Sequence, residues 1–242
     1  NFDLGLEYYT GREGFLGATY FRKWVTGFTA NGNTTVPFSA LAAYGVTYGT
    51  LNPTQQQAIN ARGGPDATTV VLQEQVNASG VLAINGLELT WVQPLDFLLD
   101  RWNLDGFGFT ANYTLVHQHG SGAAPAVALG IPPQTYNATF YYEHGPWMAR
   151  ISQVFNKGYQ TANLNQNGIP LAALFAASYR QWDFSSLVDL SKLFEWKNEV
   201  QLTADATNLF GAKLRQYFQF SDATFTQYAP GRTITLGVRA RF

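Results

Sequence analysis

His117 and His119 flank Gln118 in a stretch that reads as extended chain, so both imidazoles would project from one face of a strand, as two ligands of a metal site do. A metal needs more donors than that. The chain has no cysteine and the nearest acid, Glu143, belongs to the following strand, so the pair reads as the solvated end of a strand. Asp183 and Asp189 would also share a face, but they stand several residues apart and no oriented nucleophile accompanies them. No catalytic residue, no metal and no cofactor is expected. The sequons Asn33-Thr34-Thr35, Asn77-Ala78-Ser79, Asn112-Tyr113-Thr114 and Asn137-Ala138-Thr139 are read as accidental, since the last two fall inside strands.

The elements that would position these residues are clearest at the end of the chain. In Thr233 to Phe242 the residues Ile234, Leu236, Val238, Ala240 and Phe242 are apolar, and those between them are Thr, Gly and Arg. Period-two alternation specifies a strand with one greasy and one wet face. It suits the closing strand of an outer-membrane barrel, and equally a half-buried strand of a soluble sandwich.

Composition separates the two. Charged residues make up 13% and aromatics 15% of the 242 residues, against roughly 25% charged in a soluble domain. The longest apolar runs, such as Leu171 to Ala177, fall far short of the ~18 to 20 residues of a spanning helix, whereas a barrel strand needs only about 9 to 11, every second one apolar. A net charge of −1 with no Lys/Arg run excludes nucleic-acid binding. Asn1-Phe2-Asp3-Leu4 has neither the basic start nor the apolar core of a signal peptide.

Alternation and turn residues predict strands at 2–10, 15–28, 69–93, 105–118, 135–144, 147–157, 178–190, 198–219 and 228–242, joined as antiparallel hairpins. Compact connections (11–14, 94–104, 145–146, 191–196) alternate with mostly longer ones (29–68, 119–134, 158–177, 220–227). Outer-membrane barrels sort tight periplasmic turns and extended extracellular loops in this way. The loop at 30–67 should hold a short helix, with Asn52 as N-cap, Pro53 at the first position and Gly63-Gly64 ending it. Phe107, Phe109, Ala111, Tyr113 and Leu115 would face lipid, opposite Gly108, Thr110, Asn112 and Thr114 in the lumen. Strands 135–144, 147–157 and 198–219 sort in the same manner. Trp91, Trp147, Trp196 and Phe242 would form an aromatic girdle at the periplasmic ends.

Short motifs then add a resemblance. Asn208-Leu209-Phe210, Arg215-Gln216-Tyr217-Phe218 and Tyr228-Ala229-Pro230-Gly231-Arg232-Thr233 running into Phe242 resemble the C-terminus of TonB-dependent outer-membrane receptors. So do Gly86-Leu87-Glu88-Leu89-Thr90-Trp91 with Pro94-Leu95, Leu104-Asp105-Gly106-Phe107-Gly108, and Tyr136-Asn137-Ala138 with Tyr142-Glu143. The resemblance covers nearly the whole chain. It implies an all-β, antiparallel transmembrane β-barrel of 22 strands in the bacterial outer membrane, plugged by an N-terminal domain. Residues 1–242 would be the C-terminal portion of that barrel, about its last nine strands. The plug, the segment that engages TonB and the first strands are expected in a companion polypeptide or in the rest of a longer receptor. The implied partners are outer-membrane lipid, the plug and remaining strands, the TonB system acting through the plug, and a small-molecule or oligosaccharide ligand.

On this reading Glu88, Glu143, Arg150, Asp183, Asp205, Arg239 and Arg241 face the lumen, as ion pairs or plug contacts. Substrate contacts are expected from the long loops and upper lumen, where Trp24, Tyr44, Tyr48, His119, Tyr159, Gln181, Tyr217 and Gln219 supply aromatic faces and amides. The expected function is TonB-dependent active uptake of a scarce solute such as an oligosaccharide or siderophore, with no reaction catalysed. Two alternatives stand beside it: a passive porin-like channel, and a surface-display barrel that binds a partner through the 30–67 loop.

Overall fold

The structure, a computed structural model, describes residues 1–11, 13–27, 29–77, 80–102, 104–121, 127–162 and 172–241. Two compact units divide the chain: Asn1–Val25 with Leu82–Gly120 and Val127–Phe242, and Thr26–Val81 with Ser121–Ala126. The strands are β1 (Phe2–Thr10), β2 (Gly14–Val25), β3 (Thr29–Pro37), β4 (Thr69–Asn77), β5 (Leu82–Pro94), β6 (Phe107–Gly120), β7 (Gln134–His144), β8 (Trp147–Asn156), β9 (Tyr159–Ala162), β10 (Leu174–Ala176), β11 (Tyr179–Asp189), β12 (Glu199–Thr207), β13 (Leu214–Phe218), β14 (Thr224–Tyr228) and β15 (Thr233–Arg241).

The larger unit is built on a nine-stranded antiparallel sheet in the order β1-β2-β5-β6-β7-β8-β11-β12-β15. Opposed residues in an antiparallel pair share a face, so the register can be followed across the whole sheet. One row runs Tyr8, Leu16, Trp91, Ala111, Ala138, Gln153, Trp182. Another runs Phe109, Phe140, Ile151, Phe184, Ala206, Ile234. These rows lie on one apolar face. Its side chains stay open in the isolated chain, Leu6 at 73% and Leu236 at 78%. A surface of this size without cover is a lipid or partner surface. The opposite face carries Gly108, Thr110, Asn112 and Thr114, Thr139, Ser152, Asp183, Thr203, Asp205 and Thr235.

Two glycines on the polar face let aromatic rings lie flat on the sheet. A Cβ at Gly86 would run into the Phe21 ring and the Leu115 carbonyl, and one at Gly108 into the Tyr141 ring.

Because neighbours in the sheet are hairpins, alternate connections fall at the same end. At one end they are short. Three residues separate β1 from β2, Gly145-Pro146 is a tight turn, and the connection from β5 to β6 holds a turn of helix, Asp96–Leu99, and a 3-10 turn, Asp100–Trp102. There Asp96 Oδ1 accepts from the Gly106 N–H at 2.7 Å, closing the connection. The fourth is the helix Leu190–Phe194, capped by Asp189 Oδ1 on the Lys192 N–H at 3.1 Å. Trp91, Trp147 and Trp196 all stand at this end, about half exposed, with Phe97, Trp102 and Phe194. Phe242 lies outside the described residues.

The expected strand at 69–93 is two strands. β4 pairs with β3 in a separate two-stranded ladder in the smaller unit, and β5 belongs to the large sheet. The smaller unit also contains the expected helix, Pro53–Asn60. Asn52 Oδ1 accepts from the Gln55 N–H, Gln55 Oε1 in turn accepts from the Asn52 N–H, and Gly63 and Gly64 take positive φ beyond its end. The expected strand at 198–219 likewise breaks at Asn208, and 158–177 and 220–227, read as loops, contain β9, β10 and the start of β14.

Candidate functional site

Four strands continue the large sheet after an interruption. β9 follows β8, β10 precedes β11, β13 follows β12 and β14 precedes β15, and they form their own sheet in the order β14-β13-β10-β9. The interruption is organised by Asn208, which is 3% exposed and has φ 56°. Asn tolerates this left-handed conformation better than most residues. Its Nδ2 donates to the carbonyls of Ala212 (3.1 Å) and Gly231 (2.7 Å), and its Oδ1 accepts from the Ala212 N–H (2.6 Å). Its own N–H donates to Asp183 Oδ1 at 2.8 Å.

Asp183 is the foot of a ladder on the polar face. Tyr179 Oη donates to Gln181 Oε1, and Gln181 Nε2 reaches both Asp183 oxygens at 2.8 and 3.0 Å. Beside it Ser185 Oγ donates to Asp205 Oδ1 at 2.6 Å. Arg150, Ser152, Asp183, Ser185, Asp205 and Thr207 enclose a slot of about 240 Å³. Arg150 stands 3.9 Å from Glu143 with both side chains at least half exposed, a loose pair that holds little energy. By register all seven of Glu88, Glu143, Arg150, Asp183, Asp205, Arg239 and Arg241 lie on the polar face, and Glu143–Arg150 is the one pair of them in salt-bridge range among the described residues.

Among the described residues, two cavities adjoin the small sheet. One, of about 320 Å³, is lined by Asn156, Tyr159, Tyr179, Arg215, Gln216 and Tyr228, with Ala176, Ala177, Leu214 and Thr226. It meets the polar face of the large sheet at Asn156 and Tyr179. The other, of about 470 Å³, is lined by Gln160, Phe175 and Tyr217 of the small sheet, by Tyr159, which borders both cavities, and by Val116, His117 and Gln118 of β6 with Ile131 and Pro133. Here Phe175 and Tyr217 stack with centroids 5.6 Å apart and planes 16° apart. The Arg215 guanidinium lies 5.5 Å from the Tyr217 ring centroid.

Of the expected substrate residues, Tyr159 and Tyr217 line these cavities and Gln181 joins the ladder below them. Gln219 is occupied with Ala173, its Oε1 accepting from the Ala173 N–H at 3.4 Å. Tyr44 and Tyr48 belong to the smaller unit, where Tyr48 Oη accepts from Asn60 Nδ2 at 2.7 Å. Trp24 and His119 are on the apolar face, in one row with Ala83. Tyr179, Tyr228, Arg215 and Gln216 were not singled out for this role by the sequence, although Arg215-Gln216-Tyr217 stood in a recognised motif. Among the described residues no three His, Asp or Glu side chains gather as a metal site.

An antiparallel sheet with one continuous apolar face, aromatic residues at its short-turn end and a polar inner face is the wall of a transmembrane barrel. The family model described as TonB dependent receptor-like, beta-barrel, matches residues 1–209, and the chain belongs to that family. No curated relative and no solved structure matches it. The family comprises outer-membrane transport receptors of bacteria that work with a plug domain, TonB and a ligand.

Proposed function

We propose that this chain is the C-terminal part of the barrel of an active uptake receptor, and that its cargo is an oligosaccharide-like solute held over the small sheet. The observation that carries the reading is the lining of the 320 Å³ cavity: three tyrosines, one arginine, amides and no carboxylate. Tyrosine rings stack on the CH faces of sugar rings while amides and a guanidinium take hydroxyls. An iron chelate of net negative charge is the second reading, favoured by Arg215 as the cavity's sole cation.

The large sheet ends at β1 and β15, each paired on one side among the described residues. Unpaired edges cannot face hydrocarbon, so further strands and a plug are proposed to complete the wall, to the 22 strands that the resemblance implies. Ligand shifts such a receptor only as far as it prefers one state over another, and TonB acting on the plug supplies the work of release. The test is uptake of labelled oligosaccharides of graded size into cells with and without TonB. Uptake that requires TonB and falls in the Tyr159→Ala/Tyr228→Ala variant supports the proposal. Unchanged uptake without TonB overturns active transport and leaves a passive pore.

A further inference from the structure

Every Asp and Glu within the nine strands of the large sheet lies on the polar face, whereas the apolar face holds Arg22, Arg180 and histidines and no acid. Cations on a bilayer-facing surface are costly near the midplane and nearly free at headgroup level. Both arginines stand at the long-connection end. Arg22 is directly opposite Asn85, and Asn85 is opposite His117, so three adjacent strands align a guanidinium, an amide and an imidazole in one row. The next row outward holds Trp24 and His119, and the next inward holds Tyr20, Leu87 and Leu115. Arg22, His117 and His119 are exposed. Arg22 lies 4.9 Å from the Trp24 ring centroid, a tryptophan placed where interfacial aromatics gather.

We propose that this row is a docking surface for the phosphate of a lipid headgroup in the outer leaflet. The geometry supplies both halves of such a ligand: apolar side chains below for the acyl chains, and N–H donors above for the phosphate. Arginine meets phosphate with paired, charge-assisted hydrogen bonds. The amide of Asn85 and the two imidazoles add donors, and the absence of any carboxylate on this face leaves the phosphate without a competitor. His117 and His119 thereby act as lipid contacts, and Trp24 as the depth marker beside them. The inference depends on the barrel wall and not on which solute is carried.

The test uses the complete receptor, purified from outer membranes in non-ionic detergent, with added bisphosphorylated lipid A as the probe and native mass spectrometry as the readout. The Arg22→Gln/His117→Gln/His119→Gln variant is expected to bind lipid A about fivefold more weakly or worse. Lys23→Gln, changed on the polar face of the same strand, is expected to bind as the unaltered receptor does. Equal binding by all three proteins overturns the proposal, as does an equal loss in Lys23→Gln. Displacement of lipid A by millimolar inorganic phosphate also overturns it, because the site would then serve free phosphate. Should the triple variant fail to assemble, Arg22→Gln alone is read through salt: a shallower dependence of lipid A binding on ionic strength supports the proposal, and an unchanged one overturns it.

Discussion

The Asn208 side-chain amide donates to the Gly231 carbonyl oxygen at 2.7 Å, tying the break after β12 to the approach of the last strand, β15. Two further bonds join it to Ala212, so both amide hydrogens and the amide oxygen are engaged. Asn208→Ala strands buried backbone groups and is expected to cost about 1–3 kcal/mol for each group left unpaired. Asn208→Asp is no better, since it turns a carboxylate oxygen toward two carbonyls. Heat-modifiability of the folded receptor on gels measures both, and variants as resistant as the parent would contradict this role.

Asp183 serves the same break from the other side by accepting the Asn208 N–H. Asp183→Asn keeps an oxygen for that bond and should cost under about 1 kcal/mol, while Asp183→Ala leaves the N–H unpaired and should cost about 1–3 kcal/mol. Urea unfolding of the receptor in lipid vesicles separates the two. Equal midpoints would remove Asp183 from the argument.

Gly86 lies under the Phe21 ring and against the Leu115 carbonyl. Gly86→Ala is therefore expected to lower the amount of assembled receptor, read by surface labelling of intact cells. Phe21→Ala in the same chain should restore only part of it, because the backbone carbonyl remains. Full restoration would show that the ring alone sets the limit.

At the cavity, Tyr159→Ala and Tyr228→Ala are each expected to weaken oligosaccharide binding about threefold to tenfold, the worth of a lost ring contact. Arg215→Gln distinguishes the two cargo readings. It should weaken a neutral sugar only slightly, since the glutamine amide can still take a hydroxyl, and weaken an anionic chelate far more, as calorimetric titration with each would record.

The wall was legible because lipid and lumen impose a period of two on every strand that spans, and a single residue's slip would invert the faces. The breaks were not. Val70, Val71, Leu72 and Val76 are as strand-like as Leu82 to Leu89, so 69–93 read as one run although its halves belong to different sheets. Asn208-Leu209-Phe210 contains no proline, and the break it makes depends on hydrogen bonds from residues far away in sequence. β9, β10, β13 and β14 are three to five residues long, too short for alternation to register. The side of His119 is legible in the sequence: counting on by twos from Phe107 to Leu115 reaches His117 and His119, which puts both on the apolar face and not in the upper lumen.

The pause between residues 207 and 214 also separates two histories. Staves that touch hydrocarbon answer to the membrane, and almost any polar replacement on their outer side is penalised. On the proposed function, the rim strands beyond the pause answer to the cargo. Mutations there can retune appetite without disturbing the staves, so receptors sharing this wall are free to diverge in diet.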